Sequence, residues 1–388
     1  MLCLRHNRRM PELQLAVIDV KPGAAMESQS GLQLMRPRIY GAWMQPAGPR
    51  RAAAIVMHPT SNFMGHYLIA PLAARGVACM GLNSRYAGND TLLLMERVIQ
   101  DLGAGVHFLR AQGYERIVLI GNSGGASLAA FYQAQAERLD IEHMVDGDPA
   151  ALSPQDLPPV QGLALCAAHE GRSTLMRNWI DPSLTDEHDG LSRDPALDIY
   201  DARNAPPYGR AFLEHFRNAQ QQRYERIEQW VEQRLALLRS QAAPGSPRDE
   251  VFVVYRTHAD PRFLDLAIDA NDRAVGSVWG AGAAGARAVN YAASQMGRIT
   301  SLTAWLSQWS PRSRADGPRN LARTSVPVLL CTYTGDQSTF PSTQAAWLAA
   351  GGGRIRNVDV PGGNHYLAGQ PQLVEQVADA MADWILAL

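Results

Sequence analysis

Short apolar runs recur along the first third of the chain, with stretches of helical apolar spacing between them. Residues 13–20 and 39–46 predict an opening pair of strands. Residues 53–58 and 77–83 predict buried strands, with a helical stretch over 65–75 between them and a long helix over 91–112 after them. A strand at 116–121 leads into a helix after Ser123, and 160–168 is a further apolar strand. Apolar runs this short, bounded by turn residues and alternating with helices, predict an α/β fold: a mostly parallel sheet with helices on both faces.

The rhythm breaks from 171 to 321, where the chain turns polar, helical and irregular. Over 208–241, Tyr224, Ile227, Trp230, Val231, Leu235 and Leu238 recur at helical spacing, so one long helix is expected there. Residues 263–271 and 289–308 predict further helix, and the Gly/Ala-rich run 280–288 a flexible turn. Strands then return at 326–333 and 355–360, each followed by a helix, at 342–350 and 373–386. The expected organisation is a body of residues 1–170 and 322–388, interrupted once by a mainly helical insertion, 171–321.

With 46% hydrophobic and 19% charged residues in a chain of 388, a sizeable core is feasible. A net charge of −1 gives no electrostatic reason to expect nucleic acid or an anionic membrane as partner. Lys21 is the sole lysine and lies in a Pro/Gly turn, which argues against lysine-based catalysis. Cys3, Cys79, Cys166 and Cys331 are far apart and form no CxxC pair to suggest zinc; neither a metal nor an organic cofactor is expected. The opening MLCLRHNRRM carries no sustained apolar segment, and nothing approaches 18 consecutive apolar residues. The expectation is a soluble cytoplasmic protein, with Met1 or Met10 as the start.

The chemistry concentrates at GNSGG, residues 121–125, between a strand and a helix. A turn that tight forces its central residue into strained φ/ψ space, and flanking glycines remove the Cβ atoms that would clash. Ser123 is thereby lifted off the sheet end, in front of the free N–H groups of a helix start. The alternative is a plain N-cap serine. A serine nucleophile needs a base oriented by a carboxylate. Asp336 follows the strand at 326–333, and His365 follows the strand at 355–360. Ligands of open α/β sheets bind at such strand ends. Glu170, after the strand at 160–168, competes with Asp336 for the acid, and with His169 it is expected at the entrance to the site.

The order Ser123, Asp336, His365 around a G-x-S-x-G turn resembles the serine-nucleophile α/β-hydrolase superfamily, in a member with a large cap insertion. The resemblance covers 53–168 and 321–388. It implies a nucleophile elbow at Ser123, with His365 as base and Asp336 as its orienting acid. It also implies an oxyanion hole built from the Gly124 N–H and an N–H of the loop "MHPTSNF". Pro59 has no N–H, so Thr60 is the expected donor and Ser61 the fallback, while His58 is expected to hold the loop. A serine at the elbow sets the chain apart from the superfamily's dehalogenases and epoxide hydrolases, which use aspartate there.

The implied substrate is a small acyl compound. The insertion's aromatic residues, among them Trp179, Tyr200, Tyr208, Phe212, Phe216, Trp279, Trp305 and Trp309, suit an apolar or aromatic one, or else pack the cap's own core. Arg85 is a candidate for a substrate carboxylate or for a loop salt bridge, and Asn62 and Asn364 sit near the site loops. The face from Tyr224 to Leu238 either packs inward or forms a homodimer surface. An ester is the expected bond. The alternatives are a carbon–carbon bond hydrolase, an acyltransferase, or a ligand receptor that kept the fold without the catalysis.

Overall fold

The computed structural model describes residues 12–23, 35–241 and 243–388; Cys3 and Met10 lie outside them. Eight strands make the central sheet: β1 (Gln14–Asp19), β2 (Arg38–Met44), β3 (Ala52–His58), β4 (Val77–Asn83), β5 (Arg116–Asn122), β6 (Gly162–Cys166), β7 (Val328–Tyr333) and β8 (Ile355–Val360). Their spatial order is β1-β2-β4-β3-β5-β6-β7-β8. β2 is antiparallel to both β1 and β4, and every other pairing is parallel. Asn122 lies opposite Cys166, Cys166 opposite Cys331, and Tyr333 opposite Val360. In-register pairing brings the carboxyl ends of β5 to β8 to one edge of the sheet.

All residues of β3 and β4 are buried, which a parallel strand covered on both faces requires. Their side chains alternate between two cores. Ala53, Ile55 and Met57 face one, and Ala52, Ala54 and Val56 the other. Helices α1 (Ile69–Ala74), α2 (Met95–Ala111), α3 (Gly124–Glu137), α4 (Arg172–Trp179), α5 (Arg210–Ser240), α6 (Gly282–Tyr291), α7 (Leu302–Gln308), α8 (Gly317–Leu321), α9 (Pro341–Gly351) and α10 (Pro371–Ala387) follow in chain order. Val98, Leu102, Val106 and Leu109 of α2 fill the first core with α3; Leu72 of α1 and Met381 of α10 fill the second. Cys79, Cys166 and Cys331 are buried, unbridged strand residues, behaving as small hydrophobes.

Between α4 and α8 the chain builds two further apolar clusters, joined by Val145 and Phe340 from outside that segment. Tyr224, Ile227, Val231, Leu235 and Leu238 of α5 pack on Trp305, Leu306 and Trp309, while Phe216 joins Trp179, Tyr208 and Phe263. The helical face therefore packs inward. Trp230 departs from that stripe: it is 43% exposed, its ring 5.0 Å from Phe252. Ala315 and Leu321 join Trp347 in the sheet's own core.

Three local expectations are corrected. Residues 280–288 form a short strand, Gly280–Ala281, and the start of α6. Their small residues serve close packing: a Cβ on Gly280 would meet the Gly285 carbonyl oxygen at 2.3 Å. Residues 263–271 hold no α-helix, because Arg273 donates to the carbonyls of Asp265, Ile268 and Asp269 and ties the segment into turns. In 289–308 the helix is interrupted by a strand, Ile299–Ser301, paired with Val251–Val253. Among the described residues, no helix is long and apolar enough to cross a membrane.

Candidate active site

β5 passes into α3 through one residue, Ser123, with φ 59° and ψ −128°. Positive φ is costly for a residue with a Cβ and persists only when its surroundings enforce it. Here the Ser123 N–H donates to the Cys166 carbonyl at 3.0 Å, and the Ser123 carbonyl accepts from the His169 N–H at 3.2 Å. The flanking glycines answer to close approach. A Cβ on Gly121 would stand 2.4 Å from Ala126 Cα, and one on Gly125 2.3 Å from the Met57 carbonyl oxygen.

Asp336 and His365 lie on the loops after β7 and β8. These loops are stitched together by Thr334 N–H to the Val360 carbonyl (3.2 Å) and Gly335 N–H to the Gly363 carbonyl (3.0 Å). His365 Nε2 is 2.9 Å from Ser123 Oγ, and His365 Nδ1 is 2.7 Å from Asp336 Oδ2. All three side chains are buried. The Asp336 carboxylate also accepts from the Ser338 N–H (2.8 Å), Ser338 Oγ (3.1 Å) and Thr339 Oγ1 (2.6 Å). Burial works to raise this acid, but the adjoining His365 and the Thr339 hydroxyl outweigh it and hold it down to about 2. An ionised Asp336 only accepts, so it selects the His365 tautomer with its proton on Nδ1, leaving Nε2 to accept from Ser123. Ser338 and Thr339 were not anticipated. The signal was present in "GDQST", where hydroxyls two and three residues after an aspartate favour a side-chain-capped turn.

Ser123 and Gly124 open onto a cleft of about 330 Å³. Thr60 and Ser61 line it from the body, Arg172, Leu175, Trp279 and Met296 from the insertion. Of the eight insertion aromatics named as candidates, only Trp279 is on the wall; Trp179, Phe216, Trp305 and Trp309 are buried in the insertion's apolar clusters. His169 lines the cleft with its ring 5.3 Å from that of His365; burial, then the neighbouring His365, push it down to about 3, so it stays neutral. Glu170 is not on the cleft wall. Its backbone carbonyl accepts from Gly317 N–H, burial raises its carboxyl, and the acid on His365 is Asp336.

Other expectations need correction. The Thr60 N–H, expected to face an oxyanion, donates to His58 Nδ1 at 3.1 Å, and the fallback Ser61 N–H donates to the same nitrogen at 2.9 Å. Of the two readings of Arg85, the loop salt bridge holds and the substrate contact does not: its guanidinium sits on the buried Asp101 carboxylate at 2.6 Å, pinning the loop after β4 to α2, away from the cleft. The arginine on the cleft wall is Arg172. It donates to Thr60 Oγ1 (2.7 Å), Gln308 Oε1 (2.5 Å) and Asp90 Oδ2 (3.2 Å). Arg172 was not anticipated, although it lies just past β6, in "HEGRS". Asn62 Oδ1 accepts from the Met64 N–H and Asn83 Nδ2, and Asn364 braces the His365 loop through Ala368. Tyr366, not anticipated, lines the cleft, and burial pushes its phenol up. Among the described residues, no group of three or more His, Cys, Asp or Glu side chains could hold a metal ion.

No protein-family model matches the chain, and no curated protein matches it. Solved structures do. DcsB in complex with its substrate analogue is 13% identical, with a TM-score of 0.51, over 96% of this chain and 98% of that one. A highly thermostable carboxyl esterase from Bacillus coagulans in complex with glycerol is 11% identical, with a TM-score of 0.47, over 96% and 97%. The esterase domain of a Rhodothermus marinus protein is 12% identical, with a TM-score of 0.45, over 96% and 99%. The chain has the α/β-hydrolase fold, a mostly parallel eight-stranded sheet with helices on both faces.

Proposed function

We propose that this protein is a serine hydrolase that cleaves a carboxylic ester of a small substrate through an acyl-enzyme. The reading is carried by one observation, the hydrogen-bonded line from Ser123 Oγ through His365 to Asp336. Ser123 attacks the carbonyl carbon while His365 Nε2 takes its proton. Asp336 holds the imidazole in the required tautomer and stabilises the imidazolium. His365 returns the proton to the departing alcohol, and water, activated by the same nitrogen, releases the acid. The Gly124 N–H, at the start of α3, stabilises the developing oxyanion. The insertion acts as a cap, and Leu175, Trp279 and Met296 give the substrate an apolar wall.

A fluorophosphonate probe tests this directly. It is expected to label Ser123 in the parent protein and not in Ser123→Ala. Short p-nitrophenyl esters are expected to turn over, with His365→Ala slower by about 10⁴–10⁶. Turnover of a vinylogous diketone in place of every ester would move the bond from C–O to C–C on the same residues. An unlabelled protein that binds ligand tightly without turnover would make it a receptor.

A further inference from the structure

The two backbone donors expected to serve an oxyanion from the loop after β3 are already engaged. Pro59 lacks an N–H, and those of Thr60 and Ser61 converge on His58 Nδ1. A nitrogen that accepts two hydrogen bonds is unprotonated, so the neutral ring carries its hydrogen on Nε2. That nitrogen has no hydrogen-bond partner among the described residues, and it faces α3. A Cβ at position 124 would stand 2.9 Å from His58 Nε2. His58 and Gly124 line the same cleft as Ser123. Glycine at 124 is therefore what lets the ring reach beside the elbow.

We propose that His58 Nε2–H is the second oxyanion donor, paired with the Gly124 N–H, and that the Thr60 and Ser61 N–H groups act one step back by setting the ring's tautomer. The assignment rests on the serine-hydrolase reading above. As Ser123 Oγ bonds to the carbonyl carbon, its proton passes to His365 Nε2 and the carbonyl π pair moves onto oxygen. That oxygen accepts hydrogen bonds from Gly124 N–H and His58 Nε2–H, and neither proton is transferred. On collapse the pair returns, the ester C–O bond breaks, and the alkoxide leaves with the proton from His365. Burial first, then the positive Arg172 and the neighbouring His169 and His365, hold the His58 imidazole well below its usual range. It therefore stays a neutral donor at neutral pH.

The test compares the full-length parent with His58→Asn and His58→Ala. Asparagine retains an acceptor near the Nδ1 position for the Thr60 and Ser61 N–H groups and lacks the donor at Nε2. His58→Asn is expected to keep the parental circular dichroism and KM for p-nitrophenyl acetate while kcat falls about 10²–10³. Its affinity for a trifluoromethyl ketone, which forms a tetrahedral adduct on Ser123, is expected to fall by the same factor. His58→Asn at parental kcat, with loss confined to His58→Ala or to Tyr366→Phe, overturns the assignment. If His58→Asn does not fold, the parent decides by NMR: the His58 Nε2 proton is expected to move downfield in the ketone adduct, and an unmoved resonance overturns the proposal. A parent protein that takes no fluorophosphonate on Ser123 overturns the hydrolase reading, and this one with it. A labelled, active parent with an indifferent His58→Asn overturns this one alone.

Discussion

His365 Nδ1 lies 2.7 Å from Asp336 Oδ2, and both side chains are buried. The carboxylate takes further hydrogen bonds from Ser338 and Thr339, so both of its oxygens are engaged as acceptors. Asp336→Asn puts a donor where one of these acceptors stood and favours the wrong His365 tautomer. A fall in kcat of about 10⁴ is expected, with little change in KM. Steady-state kinetics on the folded variant check it.

Acid is expected to destabilise the protein well before its carboxylates titrate. Burial lowers His66 to about 4 and His169 and His258 to about 3. In the unfolded chain these imidazoles take protons near pH 6.5. Between those values the unfolded state binds more protons, so stability falls as pH falls from about 6.5, by roughly 1 kcal/mol per pH unit for each such histidine. Asp336, held down to about 2, adds a contribution that is lost only between about pH 4 and pH 2. Urea midpoints at pH 7.5, 6 and 5 should decline in that order; equal midpoints would contradict the buried-neutral assignment.

Arg85 separates a structural role from a binding one. With its guanidinium on a carboxylate that is 0% exposed, Asp101→Ala removes the acidic half of a buried pair. A loss of about 3–5 kcal/mol in unfolding free energy is expected. A substrate-binding Arg85 would instead raise KM in Arg85→Gln and leave the denaturant midpoint where it was.

At the elbow, Gly125→Ala forces a methyl group to within 2.3 Å of the Met57 carbonyl oxygen. Backbone on both sides has little room to yield. Destabilisation of about 1–3 kcal/mol is expected, together with lower kcat because β3 and α3 shift apart. Thermal melts and phosphonate labelling rates measure the two effects.

The strand ends were legible because a parallel sheet covered on both faces demands continuous apolar runs. The run at 77–83 coincides with β4 to the residue; 355–360 coincides with β8 too, but as a half-exposed edge strand whose Val358 and Val360 alternate with polar residues. Ser123 was legible because its strained turn calls for glycine at positions 121 and 125. The insertion was harder to read. Its helices answer to small local cores and side-chain-to-backbone bonds, so 263–271 and 280–288 followed neither helical spacing nor glycine content.

By itself the sequence determined the alternation of strand and helix and the order of serine, aspartate and histidine at successive strand ends. Both follow from burial periodicity and local turn sterics, which act over a few neighbouring residues. Only the tertiary structure decided that Arg172 rather than Arg85 stands on the cleft wall, that Trp279 faces it while Trp305 and Trp309 do not, and that the Thr60 N–H turns to His58. Those choices depend on which donor, acceptor or ring from a distant segment comes within about 3–4 Å, a distance that no local pattern encodes.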